Sequence, residues 1–137
     1  MVLWMALIFN LSSQVAEQSN KLSTGFTKVV VKALEKVIPK VNFNIRSFNH
    51  IVRKNAHFFT YLILGILVLN ALQRSGVLGY QSIGLAAAIC IFYAISDEVH
   101  QIFVPGRGAQ VKDVLIDSTG ASVGIGLYLL VFHVIVQ

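Results

Sequence analysis

Three stretches of this sequence carry no Asp, Glu, Lys or Arg: Asn55–Gln73, Ser75–Ser96 and Ser118–Gln137, of 19, 22 and 20 residues. A helix needs roughly 20 apolar residues to cross a hydrocarbon core of about 30 Å. Each stretch meets that length. Only 12% of the 137 residues are charged, against about 25% in a soluble domain. Hydrocarbon offers the backbone no hydrogen-bond partners, so segments of this kind close their bonds internally as helices. The expected fold class is therefore all-α: a single-domain polytopic membrane protein over residues 1–137, with about four transmembrane helices and one basic amphipathic helix at the interface.

The first apolar segment is shorter. Val2–Leu11 is apolar apart from Asn10, and ten residues at 1.5 Å each reach only about 15 Å. No basic stretch precedes it and Ser12-Ser-Gln-Val-Ala-Glu17 is a poor cleavage site, so an uncleaved, shortened first transmembrane helix over 1–11 is expected. From 21 to 41 the pattern changes. Lys28, Lys32, Lys36 and Lys40 recur every fourth residue, opposite Leu22, Phe26, Val29, Val30, Ala33, Leu34, Val37 and Ile38. Such a helix lies in a membrane interface, its lysines reaching toward anionic headgroups, and it can also pack as a lid on the bundle. Pro39 ends or kinks it, and Asn42–Asn49 reads as a polar link. Transmembrane helices are expected over 51–72, 78–100 and 111–136, with Gly76 and Gly79 in a tight turn and a loop at Phe103–Gln110. The single cysteine, Cys90, sits among Ala and Ile as a packed apolar residue and has no partner for an internal disulfide.

Charge placement sets the expected orientation. Of the 11 Lys and Arg, eight lie between Ser12 and Lys54 and two more between Asp97 and Asp117, leaving only Arg74 on the other side. Counting positive charge places the charged face in the cytoplasm of a multi-pass cell-membrane protein. The same distribution argues against a nucleic-acid partner, because the positive residues flank membrane segments and meet lipid first.

Ionisable groups near membrane depth are costly, about 2.5–3.5 kcal/mol each at a helix centre, and usually face partners, water or a site. Here they cluster. Arg53, His57 and Tyr61 are spaced i, i+4, i+8, with Lys54 three before His57. Asp97 shares a helical face with His100 and Gln101, while Glu98 is turned about 100° away. Asp113 and Asp117 are four apart, and Gly120 and Gly124 continue their face, a spacing of small residues that lets helices approach closely. Antiparallel neighbours bring these stripes to one membrane face. The candidate site is Arg53, Lys54, His57, Asp97, His100, Gln101, Arg107, Asp113 and Asp117, with Glu98 at its edge as a solvated helix end.

Three chemistries suit such a set. Arg107, in a Gly-flanked loop, can grip a phosphate or carboxylate together with Arg53 and Lys54. His57 or His100 with Asp97 can act as base and acid in hydrolysis, and carboxylates with histidine can hold a metal. Alternatively the acids only neutralise His57, Arg107 and Lys54 so that three helices pack. Asp113 can favour the start of its helix through the macrodipole, and Tyr61 suits an interface aromatic. Asp97-Glu-x-His-Gln101 is not a His-Glu-x-x-His zinc motif, so no metal is assigned and no cofactor is named. No Gly-x-Ser-x-Gly, phosphate-binding loop or dinucleotide fingerprint occurs.

Four stretches in order resemble the VanZ-like family of small integral membrane proteins: Trp4–Ser13, Arg53-Lys-Asn-Ala-His-Phe-Phe-x-Tyr61 with Leu64-Gly65, Ser96-Asp-Glu-Val-His-Gln-x-Phe-Val-Pro-Gly-Arg107, and Asp113-Val-Leu-Ile-Asp117 with Ser118-Thr-Gly120. The chain departs from the family in its abbreviated start. The resemblance implies a four-helix membrane protein of the cell envelope, linked to reduced susceptibility to the lipoglycopeptide teicoplanin. Its recurring polar residues match at Lys54, His57, Asp97, Glu98, His100, Gln101, Arg107, Asp113 and Asp117. The leading expectation is a protein that binds an anionic lipid, a lipid-linked envelope precursor or a lipoglycopeptide. The alternative is a membrane enzyme hydrolysing or transferring phosphate or glycan on a lipid-linked substrate, with His57, Asp97 and His100 as candidate catalytic groups.

Overall fold

The structure, a computed structural model, describes residues 1–13, 25, 45–106 and 108–136. Among them are four helices and no strand: α1 (Val2–Ser12), α2 (Ile45–Arg74), α3 (Tyr80–Ile102) and α4 (Val111–Val136). The last three contain the apolar spans Lys54–Arg74, Tyr80–Ile102 and Val111–Phe132, each long and apolar enough to cross a membrane. At 11 residues, α1 is shorter. The amphipathic helix expected over 21–41 lies outside the described residues apart from Gly25, and so does Arg107.

The boundaries of α2 and α3 differ from the sequence reading. α2 begins at Ile45, inside the stretch expected to be a polar link. Hydropathy marks where a helix becomes apolar, whereas the helix itself continues until something breaks it, and no Pro or Gly lies between Ile45 and Lys54. α3 starts at Tyr80 because Gly79 has φ 65°, outside helical geometry, and it continues past His100 to Ile102.

The turn between α2 and α3 is a Schellman motif. Val77 N–H donates to the Leu72 carbonyl and Gly76 N–H to the Gln73 carbonyl, both at 3.1 Å, with Gly76 at φ 87°. That φ favours glycine. α3 returns antiparallel to α2, and α4 runs parallel to α2. The parallel pair is visible in contacts that advance together along both helices: Lys54 with Asp113, His57 with Asp117, and Asn70 with Tyr128. Between these rungs the backbones touch. A Cβ at Gly65, Gly120 or Gly124 would run into the carbonyl oxygen of Ala121, Phe58 or Leu62 respectively. The close approach expected at Gly120 and Gly124 is present.

α3 packs through a stripe of mostly small buried side chains, Ser82, Ala86, Cys90, Ala94 and Glu98, each four residues from the last. Cys90 is buried in the apolar core, as expected. α1 lies alongside α3, with Ile8 and Ser12 as its buried face. Its Trp4 Nε1 donates to the Thr60 carbonyl at 3.0 Å, and the Tyr93 hydroxyl donates to the Met5 carbonyl at 2.6 Å. These bonds fix α1 against both α2 and α3.

The exterior is apolar along all three long helices, with Phe59, Ile63, Phe92, Ile95, Leu115 and Leu130 among the exposed side chains. Exposed hydroxyls are satisfied locally. Thr60, Thr119 and Ser122 each donate to the carbonyl four residues earlier, which removes the cost of an unbonded donor in an apolar medium. Polar side chains inside and apolar ones outside suit a lipid solvent.

Candidate functional site

Where α2 and α4 begin and α3 ends, the polar side chains meet. α2 supplies Lys54 and His57, three apart and thus neighbours on its face. α4 supplies Asp113 and Asp117, one turn apart, and the parallel packing places the two pairs opposite each other. Lys54 Nζ lies 3.6 Å from Asp113 Oδ1, with both side chains about 30% exposed (30% and 27%). One turn deeper, His57 Nδ1 lies 3.6 Å from Asp117 Oδ1, and Asp117 is fully buried. The outer rung faces solvent or headgroups and is worth little energetically. The inner rung is different, because 3.6 Å is too long for a hydrogen bond and Asp117 is out of water.

α3 adds Asp97 and Gln101, both buried. Gln101 Nε2 donates to Ser12 Oγ at 3.1 Å and to Asp97 Oδ2 at 3.5 Å. A residue of α1 therefore helps to orient an acid of α3. Lys54, His57, Gln101, Asp113, Ile116 and Asp117 line a recess of about 270 Å³ including its open mouth. Most of that space is open mouth; the sheltered part is about 20 Å³, room for about one water-sized group.

Burial leaves several oxygens unsatisfied. Asp97 Oδ1 and both Asp117 oxygens have no hydrogen-bond partner among the described residues. An uncompensated buried ion costs several kcal/mol. One ligand-capable atom from each of His57, Asp97 and Asp117 lies within 4.8 Å of the other two. The three come from three different helices.

Other candidates lie elsewhere. Glu98, expected as a solvated helix end, is only 4% exposed. The loop after α3 folds back so that the Gln110 N–H donates to Glu98 Oε2 at 2.8 Å. The carboxylate thereby sits at the N-terminus of α4, where the macrodipole favours it. His100, expected beside Asp97, instead packs on Phe9 with ring centroids 4.4 Å apart, because α1 covers that flank of α3. Tyr61, expected at the interface, is fully buried within the core, its ring 6.2 Å from that of Tyr93. Arg53 lies on α2, but its side chain is outside the described set, as is all of Arg107. Ser12 is the site-forming residue that the sequence did not single out. Its only signal was a hydroxyl following an apolar run.

Comparison with curated proteins and with solved structures finds no match. A family model described as VanZ/LLP1 matches residues 1–133, nearly the whole chain. With its apolar helices and a polar cluster at one end of the bundle, the chain belongs to the VanZ/LLP1 family of membrane proteins.

Proposed function

We propose that this protein is a multi-pass protein of the cell membrane that holds an anionic ligand, a lipid headgroup or the phosphate of a lipid-linked envelope precursor, at the mouth of the recess. Through that contact it lowers susceptibility to teicoplanin, the resistance associated with its family. The observation that supports this most is the convergence of Lys54, His57, Gln101, Asp113 and Asp117 from three helices on one recess at one end of an otherwise apolar bundle. With the spans placed across a bilayer, Asp117 lies six residues inside the start of its span, or about 9 Å. That depth is within reach of a lipid headgroup. Lys54, whose charge is shared with Asp113 at 3.6 Å, brings a cation to the rim, and Arg53 and Arg107, assigned from the sequence, add the further positive charge, a guanidinium giving a bidentate grip on phosphate.

The test is expression in a teicoplanin-susceptible bacterium, with the inhibitory concentration measured at matched membrane abundance. Lys54→Ala, which removes the rim charge, and Ile116→Trp, which fills the recess, are each expected to abolish the protection. Full protection by both variants would reject the reading.

A hydrolytic reading has one observation in its favour, the imidazole of His57 beside the buried Asp117 carboxylate, a pairing suited to proton transfer. It predicts release of phosphate or glycan from lipid-linked substrates by the purified protein, and no release across a broad panel rejects it.

A further inference from the structure

We propose that His57, Asp97 and Asp117 form a binding site for a divalent cation of the zinc or manganese class at the inner end of the recess. One imidazole nitrogen and two carboxylates are a mixed nitrogen and oxygen set, suited to borderline Zn²⁺ or to the harder Mn²⁺ rather than to thiophilic ions. The spacing fits. The donor atoms lie within 4.8 Å of one another, and His57 Nδ1 is 3.6 Å from Asp117 Oδ1. Tetrahedral zinc with bonds of about 2.0–2.1 Å places its ligands roughly 3.4 Å apart, so a small inward movement completes the geometry.

Burial supplies an independent observation. Asp117 is 0% exposed and Asp97 3%, yet Asp97 Oδ1 and both Asp117 oxygens have no hydrogen-bond partner among the described residues. Buried charges are paired or coordinate metals. A cation in contact with both acids satisfies them at once. The remaining Asp97 oxygen is already taken by Gln101, which Ser12 holds in turn. Such outer hydrogen bonds orient ligating carboxylates. The recess side of the cluster stays open, which leaves a coordination position for water or for an oxygen of a ligand. Because α2, α3 and α4 contribute one ligand each, the ion ties the three helices together, and its binding strengthens the fold.

The site is tested on the purified full-length chain in detergent, carrying a histidine-free affinity tag and stripped with EDTA. Uptake of Zn²⁺ or Mn²⁺ alone is measured by elemental analysis and by calorimetric titration. The expected result is one ion per chain, with affinity at least 10-fold weaker in His57→Gln, Asp97→Asn and Asp117→Asn. His100→Gln, which alters the histidine packed on Phe9, is expected to keep full uptake. Zn²⁺ should raise the melting temperature of the wild type and leave that of Asp117→Asn unchanged. Absence of stoichiometric uptake by the wild type, or equal loss in His100→Gln and His57→Gln, overturns the proposal. Where a variant does not fold, X-ray absorption of the wild-type metal decides: one imidazole with oxygen ligands supports the site, and sulfur or several imidazoles refutes it. No lipid or antibiotic enters this experiment, so its failure and that of the anionic-ligand reading are separable.

Discussion

Gly124 provides the sharpest check on the packing of α2 against α4. A Cβ added there would strike the Leu62 carbonyl oxygen and carbon, whereas one added at Gly126, two residues on, meets nothing within 4 Å. Inserting a methyl into a packed interface costs typically about 1–3 kcal/mol. The obstacle at Gly124 is backbone rather than the end of a side chain, so no rotamer change relieves it and the helices must part. Gly124→Ala is therefore expected at the top of that range, about 3 kcal/mol, or roughly 100-fold in the folding equilibrium. Gly126→Ala should instead gain about 0.5–1 kcal/mol from helix propensity. Reversible unfolding in mixed micelles, followed by circular dichroism, measures both. Separation of the helices also opens the rungs at Lys54–Asp113 and His57–Asp117, so under the proposed function Gly124→Ala should lose teicoplanin protection as well. Equal stability of the two alanine variants would refute the parallel, backbone-touching arrangement.

Two further substitutions probe the supports of the site. Trp4→Phe removes the bond to the Thr60 carbonyl and should cost about 1 kcal/mol, read as a lower melting temperature. Glu98→Ala removes the acceptor for the Gln110 N–H at the head of α4 and should cost about 1–2 kcal/mol in denaturation, while Glu98→Gln, which keeps a carbonyl oxygen there, should recover most of it.

Much of the architecture was legible without coordinates. Hydrocarbon tolerates neither charge nor unbonded backbone, so charge-free windows of 19 to 22 residues identified three long helices. Helical periodicity put Asp113, Asp117, Gly120 and Gly124 on one face, and that face meets α2. Hydropathy marks a transmembrane segment from about Ile51, whereas the helix that carries it extends back to Ile45 through residues with no helix breaker. Glu98 was misjudged because its burial depends on Gln110, twelve residues away on a folded-back loop.

The order of apolar and polar stretches alone determined that the chain is helical, that it is suited to lipid, and that its ionisable groups, Arg74 apart, gather at one end. Tertiary structure alone decided which of those groups touch. His57, Asp97 and Asp117 come from three helices, so their spacing along the chain holds no motif, and only the packing of α2, α3 and α4 together brings them within 4.8 Å. Tertiary structure likewise sent His100 to Phe9 and gave Ser12 its place beside Gln101. Periodicity fixes the face of a helix, whereas a contact depends on the height and rotation of its neighbour, and those are set by packing between segments far apart in sequence.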